Sequence, residues 1–264
     1  MKPLSVGNVV SAGLRIYRDN FKKYYKLAFI GALWSWLPIY GWAKFYAMQG
    51  SISRLAYGEI TEKPETVKDA NRYVKGRMWS FLGAALLVFL RLLLAYIGGA
   101  IILAIALFAV FFISNILPEQ IALLVTTVLG IAGFVVFFSF LIRLLASFFV
   151  SELPLAIEDD TNATKAIRRS QELSKGYVVN LVLILITASV VSFPLWGIVF
   201  ALQMVPQLID PADLALPASV FTLLSYIINT ITSALIIPFW QSIKAVVYCD
   251  LRVRREGMGI DLGK

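Results

Sequence analysis

The chain has 264 residues, of which 59% are hydrophobic, 13% aromatic and only 15% charged, with a mean hydropathy of +0.79. Water-soluble domains carry roughly 25% charged residues and break their apolar runs with turn chemistry every ~5 to 12 positions, so a soluble globular fold is excluded and an integral membrane protein is expected. A single cysteine, Cys249, rules out a disulfide scaffold, and the lack of any histidine rules out a histidine-liganded metal or haem centre, so no metal or cofactor is expected.

The net charge of +8 comes from 24 Lys plus Arg against 16 Asp plus Glu. Twenty of the 24 cations fall in four segments, residues 2–26, 63–77, 165–175 and 244–264, while the polar breaks 117–120 and 204–217 hold Glu119, Asp210 and Asp213 and no cation. A nucleic-acid binder gathers its charge on one soluble face, whereas membrane proteins keep Lys and Arg on the cytoplasmic side. Nucleic acid is therefore not an expected partner. Both termini and the two basic loops are expected in the cytoplasm and the acidic loops outside.

In chain order, residues 5–21 read as an amphipathic helix at the inner interface. Val6, Val9, Val10, Gly13, Leu14, Tyr17 and Phe21 share one face, with Arg15, Arg18, Asp19 and Lys22 on the other. Residues 24–57 form a first apolar hairpin with its break at Leu37-Pro38-Ile39-Tyr40-Gly41, ringed by Trp34, Trp36, Tyr40 and Trp42, which suit the outer headgroup level. Its arms are short and Lys44 would have to snorkel outward; a re-entrant hairpin is the alternative.

Residues 58–77 are a cytoplasmic lead-in, with Pro64 at a plausible first helical position and Gly76 as its stop. Residues 78–150 form the second hairpin. Its first arm, residues 78–117, would be about 60 Å of helix, twice a ~30 Å bilayer core. A bend at Gly98-Gly99 is expected to lay part of 100–115 along the outer interface. Residues 158–176 are another lead-in, starting at Asp160 or Thr161, with Ala163, Ala166, Ile167 and Ser170 on one stripe and a stop at Gly176. Residues 177–245 are the third hairpin, kinked at Pro194 and Pro238, and 246–264 a basic cytoplasmic tail. The expected fold class is all-α: a polytopic bundle of six membrane helices in three hairpins, each with a polar lead-in. The junctions Lys22-Lys23-Tyr24, Lys75-Gly76-Arg77 and Lys175-Gly176-Tyr177 suggest an internal repeat, although any interfacial segment before a membrane helix tends to end in lysine. Residues 4–14, interrupted by Ser5, Gly7, Asn8, Ser11 and Gly13, make a poor core for a cleavable signal.

The segments Ala166-Ile-Arg-Arg-Ser-Gln-Glu-Leu-Ser-Lys-Gly176, Tyr248-Cys-Asp-Leu-Arg-Val-Arg-Arg-Glu-Gly257 and Gly13-Leu-Arg-Ile-Tyr-Arg-Asp-Asn-Phe21 together resemble a group of prokaryotic membrane proteins. That group is related to the membrane domain attached to some glycerophosphoryl diester phosphodiesterases. The resemblance implies a six-helix bundle in a prokaryotic cytoplasmic (inner) membrane or an internal membrane such as a thylakoid. It implies no activity, because the phosphodiesterase reaction belongs to a separate soluble barrel.

Two sets of residues stand out as candidates. The first is a polar seam: Ser139, Arg143, Ser147 and Ser151 recur every four residues with Glu152 next, Ser225, Asn229, Ser233 and Gln241 form a second stripe beside Thr232, and Arg91 lies within residues 78–117. A charged residue deep in a helix costs about 2.5–3.5 kcal/mol on insertion scales, so Arg91 and Arg143 should face protein, water or a headgroup. Such a seam either binds an anionic ligand or supplies interhelical hydrogen bonds worth ~0.6–2 kcal/mol each. The second set, Lys22, Lys23, Arg168, Arg169, Arg252, Arg254 and Arg255, is placed to meet anionic headgroups at the cytoplasmic face or merely to fix topology, with Asp250 pairing to Arg252 or to a lead-in helix. Glu158, Asp159 and Asp160 read as helix caps. No P-loop, nucleophile elbow, zinc motif or intramembrane aspartate pair is present. The expected function is a non-enzymatic accessory or scaffold protein that organises membrane lipids or other membrane proteins. The alternatives are a transporter of a small solute or lipid, and an enzyme acting on lipid headgroups.

Overall fold

The computed structural model describes residues 4–204 and 218–257. The described residues are helical with no strand. The first helix, α1 (Val6–Asp19), is capped by Ser5, whose hydroxyl accepts from the Asn8 N–H. It buries Val9, Val10, Gly13 and Tyr17 of the expected stripe and leaves Leu14 exposed, while Phe21, also exposed, belongs to the next helix.

Two short helices follow, α2 (Phe21–Trp34) and α3 (Tyr40–Ile60), folded back on each other at residues 35–39. The bend is tight. The Tyr40 N–H donates to the Pro38 carbonyl at 2.7 Å while Ile39 adopts φ 60° and ψ −73°, the strained hand of the γ-turn. Gly41 completes it: a Cβ there would sit 1.9 Å from the Trp34 carbonyl oxygen, so no side chain fits.

A polar helix, α4 (Val67–Lys75), starts later than Pro64 suggested because Thr66 is the cap, accepting from the Asp69 N–H and donating to its carboxylate. Next come α5 (Met78–Ser114) and α6 (Glu119–Ser147), paired as a long hairpin, with Gly98 and Gly99 inside one continuous α5. A helix of five residues that the sequence did not announce, α7 (Leu153–Ile157), leads to α8 (Ala163–Ser174). The α8 cap is Asn162, one or two residues beyond the expected Asp160 or Thr161. The chain ends in α9 (Val178–Met204), with Pro194 inside it, and α10 (Ala218–Glu256), with Pro238 inside it.

Four helices, α5, α6, α9 and α10, are long and apolar enough to cross a membrane. Six were expected. The shortfall is in the first hairpin: α2 has 14 residues, about 21 Å of helix against a ~30 Å hydrocarbon core.

Burial divides the molecule in two. One end packs tightly around α10: Val9, Tyr24, Ile52, Leu55, Leu153, Leu173, Leu181, Phe239, Ile243 and Tyr248 belong to one buried cluster. At this end α1 runs antiparallel to α10. Leu4 N–H donates to Asp250 at 2.8 Å and the Tyr17 hydroxyl donates to the Leu235 carbonyl at 2.8 Å. Gly13 permits the approach, since a Cβ there would lie 2.7 Å from Ile243 Cγ1 and 3.1 Å from its Cα. The other end is bare. Of the most apolar stretch of α5 only 6% is buried, and of α6 none. Phe108, Phe112, Leu123, Val136, Val190 and Phe193 are all at least 66% exposed, a pattern that water does not tolerate over so large an area.

Candidate functional site

The polar seam is dispersed over several places. Ser225, Asn229 and Ser233 face a cleft of about 840 Å³ between α10 and the α2–α3 bend, where Trp36 donates its indole N–H to Thr230 at 2.9 Å. Gln241 is elsewhere, fully buried, accepting from the Ser53 hydroxyl and donating to Gln49, each at 2.7 Å, and so locks α3 to α10. Thr232 bonds its own helix at Ile228. The Ser147 carbonyl accepts from the Ser170 hydroxyl at 2.8 Å, tying α6 to α8. Glu152 forms an ion pair with Lys244 at 2.8 Å.

Arg143 and Ser139 are exposed on α6. Arg143 and Ser147 line a shallow cavity of about 460 Å³ with Phe140 and the start of α9, at Gly176, Val178 and Val179. Arg91 is half-buried on α5, its guanidinium 6.0 Å from the Phe148 ring. Arg143 lines that cavity, Asn229 the cleft at α10, and Arg91 neither of them. Spacing along a helix places residues on a face, but it does not say which neighbour that face meets.

Most of the cations expected to meet headgroups are engaged within the fold. Lys23 pairs with Glu59 at 3.1 Å, and Arg168 with Glu172 at 2.8 Å on the surface of α8. Arg169 bridges Glu158 and Glu256. Arg252 pairs with Glu256 at 2.9 Å and reaches the Tyr57 hydroxyl, while Asp250 takes Arg254 at 2.6 Å, not Arg252. The i, i+4 spacing puts Asp250 and Arg254 on one face of α10, whereas Arg252 points away from Asp250. Arg254 also donates to the Leu4 carbonyl, and Arg255 to that of Lys175. Lys22 is exposed.

Glu158 is a hub and does not cap α8. Its carboxylate accepts from the Tyr248 hydroxyl at 2.5 Å and from Arg169 at 3.2 Å, and its carbonyl accepts from Arg77 at 2.6 Å and Tyr73 at 3.0 Å. Burial first, then the hydrogen bond to Asp159, push the Tyr73 phenol above its ordinary pKa, with Arg77 and Arg54 pulling the other way.

Sequence reasoning missed Arg54. Its guanidinium grips Glu65 with two bonds, at 2.7 and 2.6 Å, donates to the Ala156 carbonyl at 2.8 Å and lies 3.8 Å from the centre of the Tyr73 ring. One side chain thus joins α3, α4 and α7. The only clue was its position, a cation inside an apolar block. Lys44 holds its ammonium 3.5 Å over Trp34 and 4.8 Å from Tyr40, beside the α2–α3 bend.

Chemically, the described residues offer two kinds of surface: a polar base built around ion pairs, and apolar arms interrupted by the polar cleft and by Arg143. No group of His, Cys, Asp or Glu among them could hold a metal ion. Cys249 is buried. No known protein family, curated protein or solved structure matches the chain.

Proposed function

We propose that the protein is a multi-pass membrane scaffold, which organises lipids or partner membrane proteins around the α5–α6 hairpin and carries out no chemistry of its own. The bareness of that hairpin carries the reading. The pair packs on α3, α8 and α9 but is bare over its most apolar stretch, which is left to acyl chains or to the helices of another protein, and packing of small and apolar side chains drives such contacts in lipid. A transporter would gather its charged residues around one interior pathway. The separation of Arg91, Arg143 and Asn229 weighs against that alternative.

The topology we propose has four spans, α5, α6, α9 and α10, with α2–α3 as a re-entrant hairpin entering from the basic side. The bend meets α10 at Thr230, 12 residues or about 18 Å from that helix's first residue, short of the far end. Four crossings keep both termini and the basic segments on one face, as the charge distribution requires. That face is the cytoplasmic one, and the resemblance at 166–176 and 248–257 points to a prokaryotic membrane.

Reconstitution into lipid nanodiscs followed by native mass spectrometry tests the function. Retention of specific lipids or a stoichiometric membrane partner, with no solute flux in proteoliposomes, is the expected result. Solute-selective flux with nothing retained would replace the scaffold by a transporter.

A further inference from the structure

The cleft between α10 and the α2–α3 bend has a consistent chemistry. No charged side chain among the described residues lines it, and Trp36, Trp42 and Tyr226 supply flat aromatic walls. Its polar groups are mostly spent as donors. The Ser225 hydroxyl donates to the Phe221 carbonyl at 2.9 Å, Thr230 to Tyr226 at 2.9 Å, Ser35 to Ala32 at 2.6 Å and Ser233 to the Asn229 side-chain oxygen at 3.2 Å. Both indole N–H groups are also used, Trp36 on Thr230 and Trp42 on the Ser35 carbonyl at 3.1 Å. What these hydroxyls still present is lone pairs, accompanied by the Asn229 amide N–H.

We infer that this cleft binds a neutral polyhydroxyl group, a sugar or glycerol moiety. Hydroxyl groups donate into the acceptors that remain and accept from Asn229, and the C–H faces of such a group pack on the aromatic rings. A phosphate is an acceptor only and finds few donors here, the Asn229 amide and the Tyr226 hydroxyl. The volume, about 840 Å³, suits a headgroup-sized ligand. On the membrane reading above, on which this inference rests for its setting, the group arrives either as the headgroup of a glycosylated lipid or as a free sugar.

The test places the full-length protein in phosphatidylcholine nanodiscs doped with monoglucosyl diacylglycerol, with plain diacylglycerol or with phosphatidylglycerol, and in a fourth set with glucose in the buffer. Retention is read by native mass spectrometry. The glucosyl lipid should be retained over plain diacylglycerol and phosphatidylglycerol by about tenfold, the size of effect that one or two hydrogen bonds produce. Asn229→Leu and the double variant Ser225→Ala/Ser233→Ala should abolish the preference, while Asn229→Gln keeps part of it. Binding of glucose alone, lost in the same variants, would keep the polyol assignment and place its source in solution. Equal retention of all three lipids with no glucose binding, or preference for phosphatidylglycerol, would overturn it. Failure of the protein to enter nanodiscs at all would instead contradict the membrane reading.

Discussion

Glu152 and Lys244 form a 2.8 Å ion pair that fastens the turn after α6 to the middle of α10, with only 16% and 20% of their side chains exposed. Phe81, Phe148 and Phe149 surround it, and the ammonium lies 5.8 Å from the Phe149 ring. Removing one partner leaves the other charge in a largely apolar cavity. Glu152→Ala or Lys244→Met should therefore cost about 2 kcal/mol, between the limits for exposed and buried pairs. The exchange Glu152→Lys/Lys244→Glu should recover most of the loss. Thermal unfolding in detergent reads both, and equal melting of the single variants and wild type would show that the pair contributes nothing.

Arg54 is expected to resist conservative replacement. Lysine cannot reproduce the two-pronged grip on Glu65 together with the bond to Ala156 and the stacking on Tyr73. Arg54→Lys should destabilise the base by roughly 1.5–3 kcal/mol, the range for a charge-assisted hydrogen bond. Limited proteolysis between α3 and α5 should quicken in the same variant. Unchanged cleavage would mean that α4 is held by other contacts.

The α2–α3 bend stores strain at Ile39. Relieving it with Ile39→Gly should gain about 1 kcal/mol, because a non-glycine residue held in that region costs ~1–3 kcal/mol and glycine gives back only part of this through its freer unfolded chain. Gly41→Ala should do the opposite and open the bend, since its methyl group would meet a backbone oxygen. The contact between Trp36 and Thr230 would then be lost, which a change in tryptophan emission can follow.

Arg143 stands apart from the paired cations because it is exposed on α6 between Phe140 and Leu144, beside the start of α9. A cation near an anionic surface is worth about 1 kcal/mol, so Arg143→Leu should reduce co-purified anionic lipid by roughly fivefold with the fold intact. The same loss is not expected for Arg254→Leu, whose guanidinium is already committed to Asp250 and Leu4. Equal lipid content in wild type and Arg143→Leu would remove Arg143 from any headgroup site.

The sequence revealed what depends on composition and short spacing. Pro38 and Gly41 marked the α2–α3 bend, the stripe of Val9, Val10, Gly13 and Tyr17 marked the face of α1 that is buried, and Gly76 marked the end of α4. Long-range pairing left no such trace. Nothing local in Glu158 distinguishes a cap from an acceptor for Tyr248, 90 residues away, and nothing in Arg54 names Ala156. The seam divides for the same reason: Ser233 and Gln241 lie on one helix, yet one faces the cleft and the other is clamped by α3.

The proposed topology meets its most direct test in single-cysteine labelling, made simple because Cys249 is the only native thiol. In a Cys249→Ala background, cysteines placed at Pro38, Lys68, Gln120 and Lys165 would be exposed to a membrane-impermeant maleimide in oriented vesicles. Four spans with a re-entrant α2–α3 predict labelling at 120 from the outer side only, at 68 and 165 from the cytoplasmic side only, and none at 38 from outside. Outer labelling at 38 would restore two further spans, and cytoplasmic labelling at 120 would contradict the membrane hairpin of α5 and α6 itself.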